Sequence, residues 1–173
     1  MRGELPLPQG YTLIERESVA STNDEAARLA AEGAPDGTVV WARCQTAGRG
    51  RRGRQWLSPE GNLYCSILMR PGVPLAQAAA LSLVAAVAAG DTVAGLLPAG
   101  RRVQLKWPND VLVEGAKIAG LLLEASAHGR GPVDWIVLGC GINVTLHPAG
   151  EGPPSTDLAS ERGGPLSVAP VLV

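Results

Sequence analysis

The sequence predicts a single α+β domain in which helices flank a sheet that includes an antiparallel hairpin. The chain has 173 residues, the length of one domain with a buried core. Segments with strand and helix patterns alternate along it, without low-complexity linkers between them. Two apolar runs are separated by the short turn Glu114-Gly115, which is the pattern of a β-hairpin. These three observations favour one main domain built around a sheet.

The first half of the chain is predicted to place a helix between two strands and to continue with a third strand. Residues with high β propensity indicate strands over 11–19, 38–44 and 63–69. Thr22, with Glu25 three residues later, has the pattern of a capping box, so we expect a helix from about residue 23 to residue 32.

A charge-free run from Pro71 to Gly90 follows the third strand. Its length is close to that of a membrane span, but it is mostly alanine, with Gln77 and Ser82 inside it. Alanine contributes less to bilayer insertion than Leu, Ile or Phe. We therefore expect a helix over about 75–89 that packs on the sheet, and no association with a membrane.

The second half begins with a strand in which Val103, Leu105 and Trp107 alternate with polar residues. This alternation predicts one apolar face and places Lys106 on the other face, away from the core. The hairpin follows, and its predicted strands are 111–113 and 118–124.

The last clear strand is predicted over 135–140, and it ends in Gly139-Cys140-Gly141. A backbone with so little side-chain bulk can approach a ligand closely. Residues 147–165 are rich in Pro, Gly, Ser and charge, so we predict a loop there. Residues 166–173 are predicted to start another element.

The stretch QTAGRGRRGRQW, Gln45–Trp56, is the most distinctive part of the sequence, and we call it the arginine loop. Its glycines let the backbone curl with N–H groups pointing inward, and its arginines place permanent positive charges on that curl. These residues are Gly48, Gly50, Gly53, Arg49, Arg51, Arg52 and Arg54. We expect the loop to bind a polyphosphate, to be poorly ordered without it and to close over the bound anion.

The glycines of the arginine loop spell G-x-G-x-x-G, which alone is a weak signal. A dinucleotide-binding fingerprint would open a helix, whereas residues 58–62 (SPEGN) break any helix soon after the loop. The partner motifs of protein kinases and the P-loop pattern do not occur in the sequence. A solvated RG-rich arm or a nonspecific nucleic-acid contact remains an alternative.

Several candidate positions can be explained without a ligand. The turn at Thr22 can serve only as a helix cap, and Gln45 can be a solvated amide. Trp56 is suited to stacking on adenine next to the phosphates, although a lone Trp is more often part of a core. Lys117, at the start of the second hairpin strand, is in a position where a lysine usually faces solvent.

Composition restricts the classes of protein that fit. The charges nearly cancel, with 15 basic and 16 acidic residues, which argues against general nucleic-acid binding. Cys44, Cys65 and Cys140 lack metal-ligand spacing, which predicts reduced thiols in a cytoplasmic protein, and residues 1–10 lack the apolar core of a signal peptide. The histidines, His128 and His147, lie in loop-like stretches without a catalytic triad pattern, which disfavours covalent catalysis.

Four blocks of the sequence together resemble the catalytic domain of the biotin protein ligases, also called biotin–[carboxylase] ligases. These blocks are STN at 21–23, QTAGRGRRGRQW at 45–56, KWPNDVLVEGAKIAGLLLE at 106–124 and GCGINV at 139–144. They occur in the family's order and are specific in combination. The resemblance implies a mixed, largely antiparallel sheet flanked by helices, similar to the class II aminoacyl-tRNA synthetase/biotin ligase catalytic fold.

The resemblance also implies a two-step acyl transfer. The biotin carboxylate attacks the α-phosphate of ATP to give biotinyl-5′-AMP and pyrophosphate, and a lysine of a biotin carboxyl carrier domain then attacks the mixed anhydride. The first step brings two anions together, so cations at fixed positions lower its barrier. Mg²⁺ is expected to arrive with ATP rather than to occupy a cage of protein ligands.

The resemblance assigns the site residues to three groups. Lys117, Arg51 and Arg49 are expected to be catalytic, with Lys117 bridging the carboxylate and the α-phosphate. Biotin is expected to contact Ser21, Thr22, Asn23, Gln45, Arg49, Lys117 and Gly120. ATP and the adenylate are expected to contact Gly48, Arg49, Gly50, Arg51, Arg52, Gly53, Trp56, Lys106, Asn109, Asp110 and Asn143. Arg54 is a further candidate for the phosphates, and Asp110 is expected to pair with an arginine of the loop.

The sequence departs from the family pattern at both ends. A typical member continues with more helix and a small SH3-like domain, and some members begin with a winged helix-turn-helix that binds operator DNA. We therefore expect residues 1–173 to be a catalytic domain that is incomplete at its C-terminus and does not bind operator DNA. The sequence identifies neither the acceptor carboxylase nor the oligomeric state, for which a homodimer is one option.

Two alternatives to biotin ligation stay open at this point. A lipoate-type acyl-adenylate ligase would need a longer apolar tunnel than a biotin ligase. A non-enzymatic module that binds phosphate or nucleic acid would show an affinity that falls steeply with salt and is indifferent to biotin.

Overall fold

The fold is a seven-stranded sheet flanked by helices. The structure, a computed structural model, describes residues 7–127, 131–150 and 152–172. The strands are Thr12–Val19 (β1), Thr38–Gln45 (β2), Leu63–Met69 (β3), Val103–Lys106 (β4), Asp110–Val113 (β5), Ala116–Ala127 (β6) and Val133–Ile142 (β7). The helices are Thr22–Ala31 (α1), Leu75–Ala78 (α2), Leu81–Leu96 (α3), Leu158–Arg162 (α4) and Ala169–Leu172 (α5). Residues 1–6, His128 and Val173, on which some expectations rested, lie outside the described residues.

The sheet is mixed and largely antiparallel, as predicted. Its strand order is β1-β2-β3-β7-β6-β5-β4, with β1 and β2 parallel and every other neighbouring pair antiparallel. Two parallel strands need a crossover connection, which α1 supplies. Because Val19 pairs with Gln45, the turn that follows β1 lies beside the end of β2. This brings two separate sequence blocks to one edge of the sheet.

The predicted hairpin is confirmed by strands β5 and β6. Glu114 and Gly115, which connect them, have φ angles of 49° and 85°. Two consecutive residues with positive φ are the requirement of the tight turns that fit the twist of antiparallel strands. The hairpin places Asp110 opposite Gly120 and Leu112 opposite Lys117.

The capping box predicted at Thr22 is wrong. The helix is preceded by Ser21, and neither a Thr22 nor a Ser21 side chain caps its backbone N–H groups. The Thr22 hydroxyl faces Gln45 instead, and Glu25 pairs with Arg16 and Arg28. These partners compete with local capping because the β1–α1 turn lies against β2 and β3.

The predicted alanine-rich helix consists of two helices, α2 and α3, and it extends seven residues beyond the expected end at Ala89. Its small-residue face packs on the sheet, where an added side-chain carbon on Gly90 would lie 3.0 Å from Leu105. Its other face is apolar and exposed, including Val84, which is 62% exposed. The prediction that the helix is mostly core therefore holds for one face only. By length and composition alone, Leu75–Leu96 also resembles a membrane-spanning segment, which is weak evidence when the helix packs on a sheet.

Two further expectations from the sequence need correction. Trp107 does not lie on the core face of β4 but on the turn that follows it, where it is 80% exposed, and Leu105 is 49% exposed.

The predicted loop 147–165 contains the helix α4, which begins after Asp157 and ends before Gly163, whose φ is 76°. An Asp at the start and a Gly past the end are ordinary helix boundaries, so this short helix was visible in the sequence. The element expected from residue 166 onward contains α5.

Candidate active site

A cavity of about 610 Å³ opens over β6 and β7, and the predicted site residues converge on it. Of those residues, only Gly48 and Gly53 do not line it. Gly48 is a buried residue of the arginine loop, and an added side-chain carbon there would lie 2.4 Å from the Trp56 carbonyl oxygen. Gly53 has a φ of 71° and allows the loop to turn. The structure therefore brings four distant sequence blocks to one site.

One part of the cavity wall is a buried polar network formed by Thr22, Asn23, Gln45 and Ser66. Gln45 Oε1, the side-chain amide oxygen, accepts a hydrogen bond from the Thr22 N–H at 2.8 Å and lies 3.1 Å from Thr22 Oγ1. Ser66 Oγ lies 2.8 Å from Thr22 Oγ1 and 2.7 Å from Asn23 Oδ1. The side-chain amide of Gln45 also donates to Ser58 Oγ, which in turn donates to the Trp56 carbonyl. The network therefore connects the turn before α1 to both ends of the arginine loop.

The polar network has more close contacts between oxygen atoms than hydroxyl hydrogens to place in them. Its three oxygen–oxygen contacts, Thr22 to Gln45, Ser66 to Thr22 and Ser66 to Asn23, share two hydroxyl hydrogens, because amide oxygens carry none. One of the three contacts is thus left without a hydrogen. Every oxygen of the network still has a hydrogen-bond partner, since Gln45 Oε1 also accepts from the Thr22 N–H. The network nevertheless keeps acceptor lone pairs that a ligand with N–H groups can use.

The floor of the cavity is made of Gly120, Gly139 and Gly141, which we call the glycine floor. An added side-chain carbon would lie 2.1 Å from Asn23 Oδ1 at Gly139 and 2.8 Å from the indole of Trp56 at Gly141. At Gly120 it would lie 3.0 Å from the same indole. The sequence predicted that this backbone approaches a ligand; in the structure it first makes room for two side chains of the site.

Lys117 lies at the opposite end of the glycine floor from Asn23. Its Nζ forms an ion pair with Asp110 Oδ1 at 2.7 Å and lies 5.1 Å from the centroid of the Trp56 ring. The expected pair between Asp110 and a loop arginine is therefore wrong. The hairpin explains the difference, because Asp110 and Lys117 lie on its two adjacent strands. A carboxylate and an aromatic face together hold the ammonium group over the floor.

Arg49, in the first half of the arginine loop, is held by two carboxylates. Its Nη1 and Nη2 lie 3.0 and 3.2 Å from the two carboxylate oxygens of Glu124, and Nη2 also contacts Asp24. Burial lowers the pKa of Arg49, but Glu124 and Asp24 outweigh it and hold the pKa above its usual value. The guanidinium that the sequence assigned to phosphate is thus engaged with the protein.

The other arginines of the loop are exposed. Arg51, Arg52 and Arg54 form no ion pair with any other described residue. The loop itself is folded as a narrow antiparallel turn, with Gly50 N–H donating to the Arg54 carbonyl and Trp56 N–H to the Gly48 carbonyl. The expectation that it is poorly ordered without ligand and closes over an anion stays a prediction. These three cations are available to an anion in the cavity.

The turn after β4 forms one rim of the cavity. Asn109 fixes it to β6, because its side chain donates to the Leu121 carbonyl at 2.6 Å and its own carbonyl accepts from the Leu121 N–H. Lys106 and Trp107 are both exposed on this rim. The sequence prediction that Lys106 faces away from the core is confirmed.

Asn143 supports the opposite rim. It is buried, and its side-chain amide donates to the Thr156 carbonyl at 3.0 Å. The chain just after Thr156 is also fixed, because Asp157 caps α4 and accepts from His147 Nδ1 at 2.5 Å. The contact of Asn143 with nucleotide or Mg²⁺ stays a prediction, while its contact with this rim is part of the fold.

Three residues of the site were missed from the sequence: Glu124, Ser66 and Ser58. Glu124 ends an otherwise apolar strand segment, and Ser66 is a fully buried polar residue within β3. A polar residue inside a buried strand needs a partner, so both positions carried a signal of their own. Ser58 follows the arginine loop and had no such signal.

Cys140, one of the residues that line the cavity, is a free cysteine and lies beside Cys65. Cys65 and Cys140 are paired across β3 and β7, and their contact, together with burial, raises the pKa of the Cys65 thiol. Among the described residues, no group of three or more His, Cys, Asp or Glu side chains is placed to hold a metal ion.

Comparisons with known proteins agree with this geometry. A model of the biotin/lipoate A/B protein ligase family matches residues 15–143. The bifunctional ligase/repressor BirA of Bacillus subtilis is 43% identical over 141 residues, which are 80% of this chain and 42% of that protein. A biotin–[acetyl-CoA-carboxylase] ligase of Paracoccus denitrificans is 45% identical over 128 residues, 74% of this chain and 52% of that protein. The chain thus spans about half the length of these curated relatives.

Solved structures with bound ligands also resemble this chain. The biotin protein ligase of Aquifex aeolicus in complex with biotin and ATP has a TM-score of 0.75 and 35% identity, covering 92% of this chain and 65% of that one. The biotin protein ligase of Leishmania major in complex with biotinyl-5-AMP has a TM-score of 0.77 and 27% identity, covering 96% of this chain and 71% of that one.

Proposed function

The chain belongs to the biotin/lipoate A/B protein ligase family, and on that premise we propose that it activates biotin with ATP and transfers it to a lysine of a biotin carboxyl carrier domain. The observation that carries this proposal is the order of chemical groups along the glycine floor. The polar network lies above Gly139, the Trp56 ring above Gly141, and Lys117 beside that ring. Gly139 and Gly141 are two residues apart on one strand, about 7 Å.

This order matches the groups of biotin from one end of the molecule to the other. The cyclic urea has two N–H donors, which fit the excess of acceptors in the polar network. The apolar tail fits against Trp56, so we assign this ring to the tail rather than to adenine. The carboxylate then lies next to Lys117, whose charge holds it at the reacting end.

In the first step, an oxygen of the biotin carboxylate attacks the α-phosphorus of ATP and the bond to pyrophosphate breaks. Lys117 neutralises the charge on both reactants, and the exposed Arg51, Arg52 and Lys106 bind the phosphates. Mg²⁺ bound to the ATP phosphates, rather than to a cage of protein ligands, would supply further positive charge there. In the second step, the acceptor amine attacks the acyl carbon, AMP leaves with the bonding electrons, and the amine loses a proton.

A lipoate ligase is the alternative within the family. Lipoate carries a carboxylate and an apolar tail, but its ring has no N–H donor. The acceptor lone pairs that the polar network keeps free therefore favour biotin over lipoate. The acceptor protein and a cytoplasmic location go beyond these observations and stay expectations from the sequence.

Isothermal titration tests the proposal. We expect biotin to bind the protein alone, ATP to bind more tightly after biotin, and lipoate to bind at least about ten-fold more weakly than biotin. Pyrophosphate release with biotin and ATP should follow. A protein that binds lipoate better would be a lipoate ligase, and one that binds only polyanions, with steep salt dependence, would be a non-enzymatic module.

A further inference from the structure

Glu124 contacts both parts of the site that must recognise the vitamin. Its carboxylate holds Arg49 with two hydrogen bonds at 3.0 and 3.2 Å. The oxygen that accepts the longer of these bonds also accepts from Asn23 Nδ2 at 2.7 Å. Among the described residues, no other carboxylate touches both the arginine loop and the polar network. Asp24, the second partner of Arg49, does not contact the network.

Two acceptors fix the orientation of the Asn23 amide: the Glu124 carboxylate at 2.7 Å, which is the closer and carries charge, and the Leu122 carbonyl oxygen at 3.3 Å. A carboxylate only accepts hydrogen bonds, so Asn23 must present its NH₂ group to Glu124. The amide oxygen then necessarily faces Ser66 and serves as an acceptor within the polar network. If the amide turned by 180°, its NH₂ group would face the network as a donor and this acceptor would be lost.

We propose that Glu124 is a positioning residue that sets the polarity of the urea-binding pocket through Asn23 and, through Arg49, ties that pocket to the arginine loop. This inference rests on the proposed function, because the polarity matters only for a ligand with N–H donors. It also changes the role of Arg49, whose side chain anchors the loop instead of binding phosphate.

Three variants separate the effect of Glu124 on the Asn23 amide from its effect on the arginine loop. Glu124→Gln can donate as well as accept, so it allows Asn23 to turn and loses one bond to Arg49. Asp24→Asn weakens only the anchor of the loop. Glu32→Gln is a matched control, because Glu32 forms an ion pair with Arg28 on the outer side of α1, far from the cavity.

Two measurements on the ligand-free protein test the role of Glu124 independently of biotin. Hydrogen exchange should become at least about ten-fold faster in the arginine loop for Glu124→Gln and for Asp24→Asn, and stay unchanged for Glu32→Gln. The ¹⁵N–¹H signals of the Asn23 side-chain amide should move in Glu124→Gln alone, because only that variant loses the charged acceptor. An unchanged Asn23 signal in Glu124→Gln would overturn the inference.

Biotin affinity then tests the consequence. We expect the Kd for biotin to rise at least about ten-fold in Glu124→Gln, since a charged hydrogen bond and the amide orientation are lost. It should change less than about three-fold in Asp24→Asn. Equal losses in both variants would show that the loop anchor alone matters and would refute the role in polarity. If the unaltered protein does not bind biotin, the proposed function fails, while the ligand-free measurements still decide whether Glu124 ties the two parts together.

Discussion

The two ends of the cavity differ in how completely the protein has arranged them. At the end near Asn23, each polar side chain of the network already has a protein partner, and the Arg49 guanidinium is held by two carboxylates. At the other end, Arg51 and Arg52 are exposed and form no ion pair with any other described residue. A small neutral ring can be recognised only by fixed hydrogen bonds, whereas a flexible polyanion can gather mobile cations around itself.

Lys117 lies where the two ends meet, so its loss should have the largest effect. Lys117→Ala should reduce pyrophosphate release by about 10²–10³-fold, because it removes a fixed cation from the reacting oxygens. The melting temperature should change little. Arg102→Ala is the matched control, since Arg102 also pairs with a carboxylate of the hairpin region, Glu114, but is exposed outside the cavity. Near-normal pyrophosphate release in Lys117→Ala would exclude this residue as the catalytic cation.

The end of the cavity near Asn23, where protein contacts fix the polar side chains, should respond strongly to the loss of one hydroxyl. Thr22→Val preserves shape but removes an oxygen that contacts both Gln45 and Ser66. We expect the Kd for biotin to rise about ten-fold, with the affinity for ATP alone unchanged. Thr92→Val, which removes a hydroxyl that bonds to Ala88 on α3, should change neither. A loss of ATP affinity in Thr22→Val would show that the two ends are not separate.

The exposed end should respond more weakly to a single substitution, since several cations share the phosphates. Arg51→Gly should raise the KM for ATP by about three- to ten-fold and release the adenylate into solution, where it modifies other amines. Biotin affinity should remain within about two-fold. Arg51→Lys retains the charge and should recover most of the ATP affinity. A variant that retains adenylate as tightly as the unaltered protein would argue against closure of the loop over it.

The smallest effect should come from the rim near α4. Burial raises the pKa of Asp157, but hydrogen bonds from Ser160 and His147 outweigh it, so the pKa lies below its usual value of 3.8. A carboxyl whose pKa is lowered by folding stabilises the fold above the unfolded value, and this stabilisation is lost as the pH falls through the lower, folded value. The melting temperature should thus fall below about pH 4 by a few degrees more in the unaltered protein than in Asp157→Asn. Parallel curves would show that this carboxyl does not contribute.

Strands, the hairpin and the position of Lys106 could be predicted because each depends on residues that are neighbours in the chain. The partners of Thr22 and Asp110 could not be predicted. A capping pattern and a charged residue look the same in the sequence whichever side chains lie across the sheet from them. The contact between Glu124 and Arg49 also depends on position across the sheet, because the two residues are 75 positions apart in the sequence. The family resemblance identified the site residues as a group, but it did not show which of them contact one another.

The bare backbone at Gly139 has a consequence for comparing sequences. A methyl group there would lie 2.1 Å from Asn23 Oδ1, so even alanine at this position would force the amide out of its seat. A side chain at position 139 is thus incompatible with the Asn23 amide as it lies in this structure, and with the contacts that this amide makes to Ser66 and Glu124.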